Sequence, residues 1–165
     1  MNPEWTPFKN LLESNYSFAD KLQRICGLLT SQFEHYNWAG IYFMNHQEKG
    51  LFLGPFAGEP TEHTSIPFGK GICGQVAVSG KAFIVQDVKA QDNYIACSLD
   101  VKSEVVYPIY FESVLVAQLD IDSHFLSPFN EVDDDFLNWL CHEIGKIYPL
   151  EWKENLGLVK KAFSI

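Results

Sequence analysis

The stretch that most constrains this chain is Val114 to Ser123, VLVAQLDIDS, a nearly continuous run of β-branched and apolar residues interrupted by Gln118 and Asp120. Side chains alternate faces along a strand. Leu115, Ala117, Leu119 and Ile121 are therefore expected on one face, and Gln118, Asp120 and Asp122 on the other. A second strand-like run, Val105 to Tyr110, precedes it. Two carboxylates on alternate residues at the end of such a strand repel each other and lose hydration, which raises the pKa of one of them unless a cation or hydrogen-bond donors compensate. A bound ammonium, or a proton to be given away, accounts for such a pair. So does a strand that simply ends in solvent, and spacing alone does not separate the two.

The same region holds the candidate nucleophile. Cys97 follows Ile95 and Ala96 and precedes the polar, turn-forming run Ser98 to Ser103, which places it on a loop and not in a core. The other cysteines, Cys26, Cys73 and Cys141, are widely scattered with no C-x-x-C pair, so neither a disulfide framework nor a zinc knuckle is expected. Gly69, Gly71 and Gly74 in SIPFGKGICG follow the order G-x-G-x-x-G, but Pro67 breaks the apolar strand that a dinucleotide fingerprint needs before its first glycine. The segment reads better as a tight turn delivering a short helix, Ile72 to Ser79. Cys73 would lie on its first turn, where the helix dipole stabilises a thiolate.

Along the chain, residues 1–16 read as an arm with one helical turn around Phe8 to Leu12. A helix is expected from Ser17, with Ser17 as N-cap and Phe18, Leu22, Ile25 and Leu29 as its buried stripe; Cys26 lies beside that stripe as a packed small residue. Trp38 to Met44 and Leu51 to Phe56 form a hairpin, and Trp38 either plugs the core or walls an apolar pocket. Ala82 to Val85 is a further strand, and Asp87 to Asn93 a polar loop leading to Cys97. A helix begins after Asn130, with Glu131, Asp133, Asp134 and Asp135 as a solvated, dipole-favoured start and Phe136, Leu140, Ile144 and Ile147 as its stripe. Cys141 and His142 read as structural or surface residues, and residues 150–165 as a tail or added helix.

A chain of 165 residues, 47% hydrophobic and 15% aromatic, suffices for one core, so a single domain over 1–165 is expected. The formal charge of −9 argues against nucleic acid or an anionic membrane as partner. No apolar run approaches the roughly 20 residues of a membrane span, and MNPEWTPFKN lacks the layout of a signal peptide, so the expected setting is the cytoplasm.

Helix, hairpin, loop region, antiparallel strands and a closing helix describe an α/β sandwich. Within it, particular segments resemble the free methionine-(R)-sulfoxide reductases, single GAF-domain enzymes. They are Asn37 to Tyr42, Leu53 to Phe56 with Gly58, Ile66-Pro67 with Gly69 to Gly74, Asp87-Val88, Ile95 to Cys97, Ser103 to Val106 with Pro108, and Leu119 to Ser123. The resemblance covers residues 37–135. It implies a homodimeric cytosolic GAF-like fold, a mainly antiparallel sheet flanked by helices, with a closed pocket for one amino acid. It implies that the cysteine at Cys97 attacks the sulfoxide sulfur of free methionine sulfoxide, that the resulting sulfenic acid is resolved by a second cysteine, and that thioredoxin or another thiol is the reductant, with no bound cofactor or metal. Glu104, Asp120 and Asp122 match the family's substrate-binding acids, Trp38 its aromatic contact, and Tyr42 falls in the same motif.

Two departures stand out. Family members usually carry an Ala-Cys pair beginning four residues before the Ile-Pro, where this chain has Glu62-His63; the usual recycling cysteine is replaced by His63. Ser98 to Val101 also replaces a pattern that usually begins with aspartate. Turnover with Cys73 as resolving thiol or with an external thiol, and loss of catalysis leaving a ligand-binding sensor, are the two main outcomes. A metal held by His63, Cys73 and Cys97 has suitable donor types but only three of them.

Overall fold

The computed structural model describes residues 3–94 and 100–165, the side chain of Pro3 excepted. Cys97 lies outside the described residues. Six strands, β1 (Trp38–Asn45), β2 (Gly50–Ala57), β3 (Ser65–Pro67), β4 (Phe83–Val85), β5 (Ser103–Phe111) and β6 (Val114–Ser123), form one antiparallel sheet in the order β3-β2-β1-β6-β5-β4. Its two long central neighbours, β1 and β6, are the strands with the most continuous apolar sequence, because each is covered on both faces.

One face carries the larger core. Helices α1 (Thr6–Glu13), α2 (Phe18–Gln32) and α4 (Glu131–Lys146) lie over it, burying Phe8, Leu22, Ile25, Leu29, Phe136, Leu137 and Leu140 against Ile41, Phe43, Leu119 and Ile121. Helix α2 starts where the hydroxyl of Ser17 accepts from the Asp20 backbone N–H at 3.1 Å, the capping expected from the sequence. The arm expected over residues 1–16 contains α1, and this helix is tied to the core through Phe8 and Leu12. The C-terminal residues form α5 (Leu150–Glu154) and α6 (Leu156–Ala162), which bury Trp152 and Val159 and stack Phe163 on Phe43 at 5.6 Å.

The opposite face is covered by α3 (Gly71–Ser79) alone among the described helices, over a smaller cluster of Trp38, Tyr42, Met44, Ile72, Val76 and Val106. The thinner cover leaves room for a site. None of the described helices is long and apolar enough to cross a membrane.

Two expectations require correction. Register shifts by one residue between Ile109 and Tyr110, where Tyr110 pairs with Leu115 and Ile109 with Ala117, leaving Val116 as the extra residue of a β-bulge. The alternation therefore changes phase: Val116 joins the larger core with Ala117, Leu119 and Ile121, and Leu115 faces the α3 side. The acidic start of α4 is also not wholly solvated. Asp133 is buried, accepting from Tyr36 Oη at 2.6 Å, His35 Nε2 at 2.8 Å and the Asn130 backbone N–H at 2.9 Å. Asp134 accepts from Tyr107 Oη at 2.6 Å. These acids lash α4 to the sheet and to the loop after α2.

Candidate active site

Strand register assembles the site. Asp122 pairs with Trp38 on one side and Glu104 on the other, and Asp120 pairs with Gly40 and Val106. Residues paired across an antiparallel sheet point to the same face, so Glu104, Asp120, Asp122, Trp38 and Tyr42 all project towards α3. Gly40 leaves the space that the Trp38 ring fills: a Cβ there would come within 2.2 Å of the indole. Trp38 donates its indole N–H to the Glu59 carbonyl at 3.0 Å and stacks on Phe56, which fixes it as a wall between β1 and the loop after β2.

Helix α3 brings Cys73 down onto this floor. Gly69 and Gly71 take positive φ (82° and 61°), and the turn between them is closed by Asn93, whose Oδ1 accepts from the Gly71 N–H at 3.1 Å while its Nδ2 donates to the Gly69 carbonyl at 2.9 Å. The glycine run thus serves the tight turn expected of it. Asn93 caps the helix from 22 residues away, a role that no local signal announces. Gln118 donates to the Cys73 carbonyl at 3.0 Å, anchoring the first turn of α3 to β6.

The Cys73 thiol donates to Asp120 Oδ2 at 3.3 Å, and Glu104 shares a hydrogen bond with the same carboxyl. One donor atom from each of Cys73, Glu104 and Asp120 lies within 4.8 Å of the other two, and all three residues are buried. Among the described residues no Lys, Arg or His comes within ion-pair distance of Glu104 or Asp120. Burial, and then the charges of Asp120 and Asp122, push Glu104 well above the usual carboxylate range. Burial pushes Asp120 up to about 7, against the pull of its hydrogen bonds with Cys73 and Glu104. Between them the two carboxyls hold a proton at neutral pH. Of the two origins left open for the acidic alternation, a strand running out into solvent is excluded by this burial.

A small cavity of about 10 Å³, lined by His63, Lys70, Cys73, Glu104 and Asp120 among others, lies beside this cluster. A second, of about 80 Å³, lies between Trp38, Glu59, Asp100, Asp122 and His124. Tyr42 is fully buried and donates its hydroxyl to the His63 carbonyl at 2.8 Å, so it holds the loop that carries His63. The structure thus gathers Trp38, Tyr42, Cys73, Glu104, Asp120 and Asp122 on one face of the sheet. His63, singled out as a departure from a pattern and as one of three candidate metal donors, lines the same cavity. The remaining described cysteines are elsewhere: Cys26, on the buried side of α2, donates to the Pro55 carbonyl at 3.6 Å and burial pushes it up to about 12, and Cys141 is on the buried side of α4.

A six-stranded antiparallel sheet with one heavily covered face and one face roofed over an acid-lined hollow is the architecture of a GAF domain. The family model described as GAF domain matches residues 17–147. The Escherichia coli free methionine-R-sulfoxide reductase is 31% identical over 140 residues, which are 85% of this chain and 83% of that one. Protein YtsP of Bacillus subtilis is 39% identical over 119 residues, 72% of each chain. The structure of the Neisseria meningitidis free methionine-R-sulfoxide reductase in complex with its substrate superposes with a TM-score of 0.80 at 31% identity, covering 86% of this chain and 83% of that one. The chain belongs to the free methionine-R-sulfoxide reductase family of GAF-domain proteins.

Proposed function

We propose that this protein reduces free L-methionine (R)-sulfoxide to methionine, with Cys97 as nucleophile. The observation that carries the reading is the buried, closely spaced Glu104–Asp120 pair beneath a tryptophan wall and beside a thiol, an environment that raises both carboxyls towards the protonated form. A sulfoxide oxygen departs from sulfur poorly until it is protonated, and a neutral carboxylic acid in a dry pocket supplies that proton. The Cys97 thiolate attacks the sulfoxide sulfur; the S–O oxygen, with the proton, passes to the Cys97 sulfur as sulfenic acid, and methionine leaves with its sulfur reduced by two electrons. Asp122 and Glu104 meet the substrate's ammonium, and Trp38 its methyl-sulfinyl end.

Cys73 is the resolving thiol of this reading. Its attack on the sulfenic acid forms a Cys73–Cys97 disulfide and releases water, with Asp120 positioned to take the Cys73 proton. A dithiol of the thioredoxin class, or another thiol, then restores both cysteines. Family membership supports the remaining parts of the reading: a single GAF-like domain over residues 1–165, a homodimer and a cytoplasmic setting. The second reading, a sensor that binds a small amino-acid-like molecule without turnover, is favoured by His63 in place of the family's usual cysteine and by a Cys73 side chain only 3% exposed.

The discriminating experiment is incubation of the protein with free methionine sulfoxide and dithiothreitol, followed by amino-acid analysis. Methionine formation that is lost in Cys97→Ser supports the reductase. Tight sulfoxide binding with no methionine released establishes the sensor instead, and undiminished turnover by Cys97→Ser removes the nucleophile assignment.

A further inference from the structure

We propose that Cys73, Glu104 and Asp120, with His63 as fourth donor, form a binding site for one divalent cation of the zinc class. Three features point to a metal ion in place of a purely hydrogen-bonded cluster. The first is the donor set. A sulfur and two carboxylates around one small space, with His63 on the wall of the same cavity, are ligand types that zinc and its first-row neighbours take, and a soft thiolate disfavours magnesium and calcium. Donor atoms of Cys73, Glu104 and Asp120 already lie within 4.8 Å of one another, so modest side-chain rotation brings them to the separation that ligands have around a tetrahedral ion.

The second is Asp120 Oδ1. Asp120 is 1% exposed, its Oδ2 is occupied by the Cys73 thiol, and its Oδ1 is buried with no hydrogen-bond partner among the described residues. A buried carboxylate oxygen left unpaired costs on the order of 1–3 kcal/mol, so its position is explained by a ligand that it receives. The third is size. The cavity of about 10 Å³ lined by His63, Lys70, Cys73, Glu104 and Asp120 among others admits a monatomic ion or a water.

Binding displaces the Cys73 thiol proton and the proton held by the carboxyl pair into solvent, so affinity rises with pH. An ion held there takes Cys73 and the carboxyl pair out of the proposed reductase chemistry, so metal and sulfoxide compete for the pocket, and the test of the metal site does not use the turnover assay. Metal-free, reduced protein is titrated with Co²⁺ and followed by absorbance. The expected result is a sulfur-to-cobalt charge-transfer band in the near ultraviolet, saturating at one ion per chain and removed by Zn²⁺. Cys73→Ser abolishes the band, Glu104→Gln and Asp120→Asn weaken Co²⁺ affinity by about tenfold or more, and Cys26→Ser, on the opposite face of the sheet, leaves both band and affinity unchanged. Circular dichroism checks that each variant is folded; should Cys73→Ser fail to fold, Glu104→Gln and Asp120→Asn decide the matter. Absence of the band at millimolar Co²⁺, or a band and affinity unchanged in Glu104→Gln and Asp120→Asn, overturns the site. A reductase whose Co²⁺ titration is silent, and a Co²⁺-binding protein without turnover, are separable outcomes.

Discussion

At Asp133 one carboxylate serves three donors from three different segments, His35, Tyr36 and its own helix cap at Asn130. Burial alone would raise its pKa; the bonds from His35, Tyr36 and Asn130 outweigh that and hold it below the ordinary value. The folded carboxyl then releases its proton at lower pH than the unfolded one. Its contribution to stability is present above the unfolded pKa of about 4 and is lost as pH falls through the lower, folded value. Asp133→Asn is expected to destabilise by about 2–3 kcal/mol at pH 7, with a difference from wild type that shrinks towards pH 2, measured by urea unfolding. An undiminished difference at pH 2 would show that lost packing, and not lost charge, is responsible. In the pocket, Asp120→Asn removes the proton donor while keeping the shape. Its turnover with free methionine sulfoxide and dithiothreitol is expected to fall by roughly 100-fold or more in kcat, with a smaller change in KM. A change confined to KM would reassign Asp120 to substrate binding.

Helix α4 shows how an element depends on contacts that its own sequence does not announce. Its apolar stripe is readable at helical spacing, and Phe136, Leu140 and Ile144 are buried as expected, whereas Ile147 is exposed just beyond the helix end. Gly145, unremarkable in sequence, lies where α4 crosses β5, and a Cβ there would stand 2.1 Å from the Tyr110 carbonyl oxygen. Backbone cannot yield as a flexible side chain does. Gly145→Ala is therefore expected to destabilise by about 1–3 kcal/mol, although alanine is the better helix former. Thermal unfolding that shows a stabilised variant would mean that α4 sits further from β5. Helix α2 is the contrasting case, since its cap, stripe and start follow from Ser17 and the residues after it; Ser17→Ala should cost about 1 kcal/mol in the same measurement.

For the whole molecule, Asp133 and the pocket carboxyls act in opposite directions on the pH dependence of stability. Asp120 titrates at about 7 in the fold and near 4 in the unfolded chain, so between those values the folded protein holds a proton that the unfolded one has lost. The stability that protonation of Asp120 contributes is complete below pH 4 and is lost as pH rises through about 7, and the raised Glu104 adds to the decline in the same direction. Wild type should therefore lose urea stability between about pH 4.5 and 7.5, and Asp120→Asn should flatten that decline by up to about 4 kcal/mol in the limit of an isolated group. Parallel profiles for the two proteins would show that the pocket carboxyl is ionised throughout.

What the residues alone determined about this protein is periodic and local: the strand alternation from Ala117 to Asp122, the Ser17 and Asn130 helix starts, the glycine turn before Cys73 and the hairpin after Trp38. Such features are legible because backbone geometry repeats every two or 3.6 residues and a cap acts within one turn. Only tertiary structure decided what crosses between segments. It put Val116 in a bulge and so turned Leu115 to the other face, capped α3 with Asn93, buried Asp133 under His35 and Tyr36, and set the Cys73 thiol against Asp120. Those contacts join residues far apart in the chain, and a hydrogen bond of that kind leaves no spacing to read; its existence depends on where packed elements stop, which the core as a whole dictates.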